Sequence, residues 1–215
     1  AEQKNIPLSE ITFIVQGYGN VGSWASRLLT DLGANLVAVE DVTGGIRNDE
    51  GIDAAKLHDF VGNHGGVNGY PGGRPVDHEE FFRTPADIFI PAALERQITG
   101  ETARWLNVRL VAEAANGPTT PRGDAVLHEG GIDLIPDILC NSGGVIVSYF
   151  EWLQNKRSEF WELDEVDRRL RKKITCMYDR VRERSDQSSV DSRTAAYMLA
   201  LARLERVYME RGIFP

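Results

Sequence analysis

The chain has 215 residues, and its 24 basic and 32 acidic side chains give a formal net charge of −8. Hydrophobic residues make up 42% and charged residues 26%, a composition that excludes a disordered or collagen-like chain. The first 150 residues carry 10 basic and 20 acidic side chains, whereas the last 65 carry 14 and 12. Because a duplex-binding surface needs a basic footprint, we expect no nucleic-acid partner.

Cysteine and histidine are sparse. The two cysteines, Cys140 and Cys176, are 36 positions apart, and the four histidines are scattered singly, so we expect neither a metal site nor a disulfide framework. One pairing of the two thiols stays open, although free thiols suit a reducing compartment. No apolar run approaches the ~20 residues that span a bilayer, and no signal peptide is recognisable. We therefore expect a cytoplasmic protein without a membrane partner.

The first elements along the chain form one β–α–β pattern. Residues 11–15 are a short apolar run, typical of a strand that is buried on both faces. Over residues 20–32, apolar side chains at spacings of three and four predict a helix, and Gly33 stands where a helix end favours a left-handed residue. A second buried strand at 36–39 follows and ends in two acids. This order is a complete βαβ unit.

Strands and helices continue to alternate downstream. Residues 43–52 predict a turn or small hairpin, Asp53 caps a short helix that reaches Val61, and 62–75 read as a loop with His64 on the surface. Such alternation indicates an α/β fold with a mainly parallel sheet that is covered by helices on both faces. The remaining predictions are strands at 87–91, 109–113 and 132–135, and helices at 101–106 and from the capping residue Thr120 to the glycine pair at 130–131.

The strand signal stops after Asn141. Apolar residues over 166–181 and 197–208 recur at helical spacing, and Ser142 is placed as a helix cap. The sequence therefore predicts an α/β core over 1–140 and a helical extension over 141–215, packed on the same domain.

The strongest chemical signal is Gly17-x-Gly19-x-x-Gly22, which follows the first predicted strand and opens the first predicted helix. In a dinucleotide-binding fingerprint, the first glycine permits a tight turn and the second lets the backbone approach a pyrophosphate. The third lets helix and strand pack closely. The helix N-terminus then offers unpaired N–H groups to the phosphates. The motif predicts a doubly wound, Rossmann-like core.

An acid is expected where the second strand ends. Glu40 and Asp41 lie 18 and 19 residues after Gly22, with no Lys or Arg beside them. A carboxylate there accepts hydrogen bonds from an adenosine ribose and repels a 2′-phosphate, which favours NAD over NADP. Because side chains alternate along a strand, only one acid should face the ribose. We assign Asp41 to it and expect Glu40 to be a solvated loop residue, although the choice between them stays open.

Small residues and asparagines follow the later strands. Ala92 and Ala93 come after the third predicted strand, Asn116 after the fourth and Asn141 after the fifth. Ligands gather at the carboxyl edge of open α/β sheets, and an asparagine amide offers both a donor and an acceptor. Each asparagine could equally be a cap or turn residue.

Four segments together resemble the cofactor-binding domain of the glutamate, leucine, phenylalanine and valine dehydrogenase family. They are 17–22, 91–95, 113–120 and 141–152, and the resemblance extends over about 7–212. The Val-Ser-Tyr-Phe-Glu-Trp run at 147–152 resembles the glutamate branch. The resemblance implies NAD-dependent, reversible oxidative deamination of L-glutamate to 2-oxoglutarate and ammonia.

The resemblance also implies residue roles. Gly17, Gly19, Asn20, Val21 and Gly22 would hold the pyrophosphate, Asp41 the adenosine ribose, Ala92 and Ala93 the dinucleotide path, Asn116 the nicotinamide ribose, and Asn141 the nicotinamide end. Ser148 would help to bind the side-chain carboxylate of the substrate, beside the apolar Val145.

One feature of the family is missing. No Gly-Gly-x-Lys-Gly-Gly segment occurs, so we expect the catalytic lysine and aspartate on a separate N-terminal substrate domain that this chain lacks. By resemblance, the full-length protein would be a homo-oligomer, a hexamer. We expect this chain alone to bind NAD without catalysis. The alternatives are a domain of a leucine, phenylalanine or valine dehydrogenase, or a stand-alone NAD-sensing module.

Overall fold

The computed structural model describes residues 7–212, so the first six residues of the predicted core and the last three of the predicted extension lie outside it. The chain divides into two units, one up to Leu134 and the other from Ile135. Strands predominate in the first unit and helices in the second.

Seven strands form one sheet, in the order β4-β3-β2-β1-β5-β6-β7. β1 pairs in parallel with both β2 and β5, and β5 pairs in parallel with β6. The β2–β3 and β3–β4 pairs are antiparallel. The range 43–52, where the sequence predicts a turn or small hairpin, instead contains β3, whose two partner strands lie outside it. The direction of winding reverses between β1 and β5. The strands are β1 Thr12–Gln16, β2 Asn35–Asp41, β3 Gly44–Arg47, β4 Arg74–Val76, β5 Ile88–Pro91, β6 Leu110–Ala112 and β7 Asp133–Ile135.

The helices of the first unit begin where the sequence places capping residues. The Asp53 carboxylate accepts from the N–H groups of Ala55 and Lys56, and the Thr120 hydroxyl accepts from that of Gly123. Both predicted caps are confirmed. The helices of this unit are α1 Asn20–Asp31, α2 Ala54–His64, α3 His78–Phe82 and α4 Pro121–Glu129, with short 3-10 helices at Leu8–Glu10 and Thr102–Arg104.

Both faces of the sheet are covered. Phe13 and Val15 of β1 belong to one buried cluster, whereas Ile14 between them belongs to another, together with Phe82 and Phe89. Successive side chains of a strand point to opposite faces. The predicted doubly wound α/β fold is therefore confirmed.

Some local predictions are wrong. The helix predicted at 101–106 is only the 3-10 turn Thr102–Arg104, and α2 and β4 shorten the loop predicted at 62–75. Ser142 occupies the N-cap position of a helix, but its hydroxyl donates to the carbonyl oxygen of Leu139 instead of capping. β4 and α3 are too short, at three and five residues, to show a hydrophobic period.

The second unit is helical, as predicted. Its small core contains Leu139, Val181, Ala195 and Ala196. Within residues 7–212, no helix is long and apolar enough to cross a membrane. The helices are α5 Asp137–Cys140, α6 Gly143–Arg157, α7 Leu163–Ser188 and α8 Ser192–Arg211.

Candidate dinucleotide-binding site

The carboxyl ends of four strands meet at one edge of the first unit. The Gly17 N–H, just after β1, donates to the carbonyl oxygen of Glu40 in β2 (2.6 Å), and the Ala92 N–H, just after β5, donates to that of Gln16 (2.7 Å). The Ala115 N–H, after β6, donates to the carbonyl oxygen of Pro91 (2.8 Å). In open α/β sheets this edge, next to the point where winding reverses, is where ligands bind.

Gly17 makes the turn between β1 and α1. Its φ of +90° is in the region that favours glycine. A Cβ atom there would lie 2.8 Å from the carbonyl atoms of Ala92 and from the Cα atom of Ala93. The first glycine of the motif is thus needed both for its conformation and for its close approach to the predicted dinucleotide path.

Gly22 and Gly19 meet different constraints. A Cβ atom on Gly22 would lie 1.8 Å from the carbonyl oxygen of Gly17 and 3.1 Å from Cγ1 of Val15, so glycine lets α1 pack on β1. A Cβ atom on Gly19 would have no atom within 4 Å. The fold itself therefore does not require Gly19 to lack a side chain, and the space above it is open to a ligand.

The N-terminus of α1 opens toward this space. The first amide of α1 that donates within the helix belongs to Ser23, whose N–H bonds to the carbonyl oxygen of Gly19 (3.0 Å). The amides of Asn20, Val21 and Gly22 precede it and form the open end of the helix. Together with the positive end of the helix dipole, they make an anion-binding site.

Tyr18 lies between the first two glycines and anchors the turn in the hydrophobic core. Its ring is buried in the cluster of Phe13 and Val15, and its hydroxyl donates to the carbonyl oxygen of Ala54 (3.3 Å). Burial raises the pKa of Tyr18 to about 12, with a smaller contribution from Tyr70. The glycine turn is therefore anchored in the core.

Asp41 is held at the end of β2. One carboxylate oxygen accepts from the N–H (2.8 Å) and hydroxyl (2.5 Å) of Thr43, and the other accepts from the N–H of Val67 (3.0 Å). The side chain remains partly exposed. A carboxylate oxygen has two lone pairs, so these contacts orient Asp41 without exhausting its capacity to accept from ribose hydroxyls.

Glu40 has the opposite orientation. It is 9% exposed, and its carboxylate meets Nε2 of Gln16 (3.2 Å) and Nδ1 of His78 (2.8 Å). The expectation that Glu40 is a solvated loop residue is therefore wrong. Alternation along the strand places one acid toward each face of the sheet, but nothing in the sequence indicated His78 as a partner.

The loops after β5 and β6 lie side by side. The Arg96 N–H donates to the carbonyl oxygen of Gly117 (2.9 Å), and the Ile98 N–H donates to that of Pro118 (2.8 Å). These bonds hold Asn116 at the same edge as the two alanines. Sequence reasoning missed Glu113, a fully buried carboxylate that accepts from the Thr119 hydroxyl (2.5 Å) and closes the loop.

The other predicted residues lie in the second unit. Asn141 follows α5 directly, and Val145 and Ser148 stand about one turn apart on exposed positions of α6. The structure thus groups the predicted residues by unit: Gly17, Gly19, Asn20, Val21, Gly22, Asp41, Ala92, Ala93 and Asn116 in the first, and Asn141, Val145 and Ser148 in the second. Among residues 7–212, no three His, Cys, Asp or Glu side chains could together hold a metal ion.

The sheet order, the glycine turn and the open helix end define a Rossmann-like α/β unit of the dinucleotide-binding class. The model of the Glutamate/Leucine/Phenylalanine/Valine dehydrogenase family matches residues 1–212, and the chain belongs to this family. The predicted resemblance is confirmed.

Two relatives illustrate the similarity. A glutamate dehydrogenase from Thermotoga maritima is 45% identical over 205 residues, which are 95% of this chain and 49% of that protein. An NAD-specific glutamate dehydrogenase from Staphylococcus aureus (strain COL) is 37% identical over 99% of this chain and 51% of the relative. The chain therefore spans about half the length of the curated relatives it matches.

Solved structures of glutamate dehydrogenases have the same fold as this chain. The hetero-hexameric glutamate dehydrogenase from Thermus thermophilus (Leu bound form) superposes with a TM-score of 0.92 at 31% identity, over 100% of this chain and 51% of that one. The glutamate dehydrogenase from Peptoniphilus asaccharolyticus gives 0.83 at 34% identity, over 100% and 50%. The α/β fold is thus that of glutamate dehydrogenase structures.

The glycines at 19 and 22 should respond differently to alanine. Gly22→Ala should destabilise the chain by about 3 kcal/mol or more, because its Cβ would overlap the carbonyl oxygen of Gly17. Gly19→Ala should change stability by at most about 0.5 kcal/mol but weaken dinucleotide binding about tenfold, because its methyl group fills the open space. Urea unfolding and calorimetric titration measure the two effects. Equal stabilities for both variants would contradict this assignment.

Tyr18 should make the chain less stable at high pH. Between pH 10 and about 12 the unfolded phenol loses its proton while the folded one keeps it, so the free energy of unfolding falls as pH rises. Tyr18→Phe should remove up to about 2–3 kcal/mol of this alkaline loss. Urea unfolding of the wild type and of Tyr18→Phe at pH 9 and pH 12 measures this difference. The two proteins share their lysines and all other tyrosines, so the contributions of those groups cancel. Parallel stability curves would show that Tyr18 ionises normally in the folded state.

Proposed function

We propose that this chain is the NAD-binding part of a glutamate dehydrogenase. The full-length protein would interconvert L-glutamate, NAD and water with 2-oxoglutarate, ammonia and NADH. The observation that carries the proposal is the open end of α1 above Gly19, together with the Asp41 carboxylate that Thr43 and Val67 hold at the end of the neighbouring strand β2. The T. maritima and S. aureus relatives, both named glutamate dehydrogenases, support glutamate over another amino acid, and the second supports NAD.

The site residues of the first unit lie along the sheet edge, and we assign each of them to one part of the dinucleotide. The amides of Asn20, Val21 and Gly22 bind the pyrophosphate, and Asp41 accepts from the adenosine ribose. Ala92 and Ala93 are small enough to leave the path past Gly17 clear. Asn116 offers its amide to the nicotinamide ribose.

In the second unit, Asn141 is assigned to the nicotinamide end of the site. Ser148 donates its hydroxyl to the side-chain carboxylate of glutamate, and the exposed Val145 shapes the apolar side of that pocket. When bound, NAD supplies a nicotinamide ring that accepts a hydride from the substrate α-carbon. We assign residues 1–140 to the dinucleotide-binding core and 141–215 to its helical extension.

The acid–base part of the reaction lies on residues outside this chain. We assign it to a lysine and an aspartate on a substrate domain of the same protein, because lysines of lowered pKa serve such proton transfers. The family resemblance and the hetero-hexameric T. thermophilus relative support an oligomer of the full-length protein, with a hexamer as our assignment. We place the protein in the cytoplasm because its two free thiols, Cys140 and Cys176, suit a reducing compartment. We expect no nucleic-acid partner because the first 150 residues are strongly acidic.

The purified chain tests this function directly. We expect calorimetric titration to show NAD binding, and we expect no NADH to form with glutamate, because the chain supplies the binding groups without the proton-transfer groups. Restoring the full-length protein should restore turnover with glutamate in preference to leucine, phenylalanine or valine. Absence of NAD binding would overturn the proposal, and turnover by the chain alone would overturn the assignment of catalysis to another domain.

Asp41→Asn should weaken NAD binding about 10- to 100-fold and reduce discrimination against NADP. The change removes a charge-assisted hydrogen bond to the ribose and the repulsion of a 2′-phosphate. Asp59→Asn, which removes the same charge from an exposed position of α2, is the matched control. Titration of both variants with each dinucleotide gives the four affinities. Unchanged affinities in Asp41→Asn would show that another group binds the ribose.

A further inference from the structure

Glu40 is a buried carboxylate for which the proposed site gives no use. Its side chain lies on the face of the sheet opposite to the contacts of Asp41, since His78 packs on Phe82 of the second buried cluster and Val67 belongs to the first. Burying a charge costs free energy unless the charge is well paired. Solubility therefore does not explain why a carboxylate occupies this buried position.

The surroundings of Glu40 are rich in acceptors. Nε2 of Gln16 donates to Glu40 (3.2 Å) and also lies 3.3 Å from Oε1 of Gln97. Oε1 of Gln16 is buried without a hydrogen-bond partner, in a residue that is 4% exposed. Three side-chain oxygens, two of Glu40 and one of Gln97, thus share the Gln16 amide nitrogen and one histidine ring N–H as donors, and the fourth, Oε1 of Gln16, has none. This cluster carries negative potential.

Among residues 7–212, no lysine or arginine forms an ion pair with Glu40, and its one ionisable partner is His78. The nearby cations of α3 and β4 are engaged elsewhere, Arg83 with Glu79 and Arg74 with Glu80. Glu40 therefore has hydrogen-bond partners for its carboxylate but no lysine or arginine counter-ion.

The backbone of Glu40 borders the dinucleotide site, and its carboxylate lies on the other face of the sheet at the same strand end. Its carbonyl oxygen accepts from the N–H of Gly17, the first glycine of the turn (2.6 Å), and its chain neighbour is Asp41. Gln16 ends β1 and Gln97 follows β5, so the cluster borders the point where winding reverses. A charge in a buried, low-dielectric position acts over a longer distance than one in water.

We propose that Glu40 is a second determinant of cofactor choice, acting from behind the ribose site. Its charge disfavours dinucleotides that carry a 2′-phosphate, in addition to Asp41. The inference rests on the proposed NAD-binding function and deepens it. Asp41 contributes by direct contact with the ribose, whereas Glu40 contributes by charge without touching the ligand.

The ratio of the dissociation constants for NADP and NAD, measured by calorimetric titration of this chain, tests the inference. Glu40→Gln keeps the shape and removes the charge, so it should lower the ratio about tenfold while NAD affinity stays within about threefold. Glu40→Asp keeps the charge and should leave the ratio within about threefold. Glu129→Gln removes the same charge from the C-terminal end of α4 and should leave the ratio unchanged.

The outcomes separate the two proposals. If wild type binds neither dinucleotide, the proposed function fails. If wild type binds NAD and Asp41→Asn shifts the ratio but Glu40→Gln does not, only the role of Glu40 is overturned. Circular dichroism checks each fold, and if Glu40→Gln does not fold, Glu40→Met, of similar size and without charge, carries the same expectation. A shift as large in Glu129→Gln would also overturn the role, because it would reflect net charge alone.

Discussion

The close packing of α1 on the turn after β1 is the constraint on which the site depends. Gly22 lies so near the carbonyl oxygen of Gly17 that a single added carbon would overlap it. This approach brings the start of the helix directly over the end of the strand. The amides of Asn20, Val21 and Gly22 consequently open at the sheet edge, where the other strand ends meet. A side chain at either glycine would move the helix end away from the sheet edge, where we propose that it binds the pyrophosphate.

Much of this construction uses backbone and empty space instead of side chains. Gly19 contributes by leaving room, the alanines after β5 by staying small, and the helix by its unpaired amides. Such a site places few demands on the identity of surrounding residues. A relative with 31% identity shares the fold with a TM-score of 0.92. The side chains to which we assign ribose contacts are at strand ends: Asp41 is the last residue of β2, and Asn116 follows β6.

The sequence predicts most of the first β–α–β unit because its signals are local. The apolar run of β1, the glycine spacing and the cap at Asp53 each act within a few residues. The signals fail where structure depends on distant contacts. β4 is three residues long, includes Pro75, and exists because β3 pairs with it. The cap at Asp77 could have indicated α3, but five residues show no hydrophobic period.

The same distinction separates the two acids at the end of β2. Strand alternation predicts that Glu40 and Asp41 face opposite ways, but it cannot tell what lies on either face. His78 is 38 residues away along the chain and reaches Glu40 only because β3 and β4 return next to β2. The antiparallel extension of the sheet thus turns an acid that looks like a solvated residue into a buried charge. Our proposal for Glu40 thereby gives this extension of the sheet an influence on which dinucleotide the turn after β1 accepts.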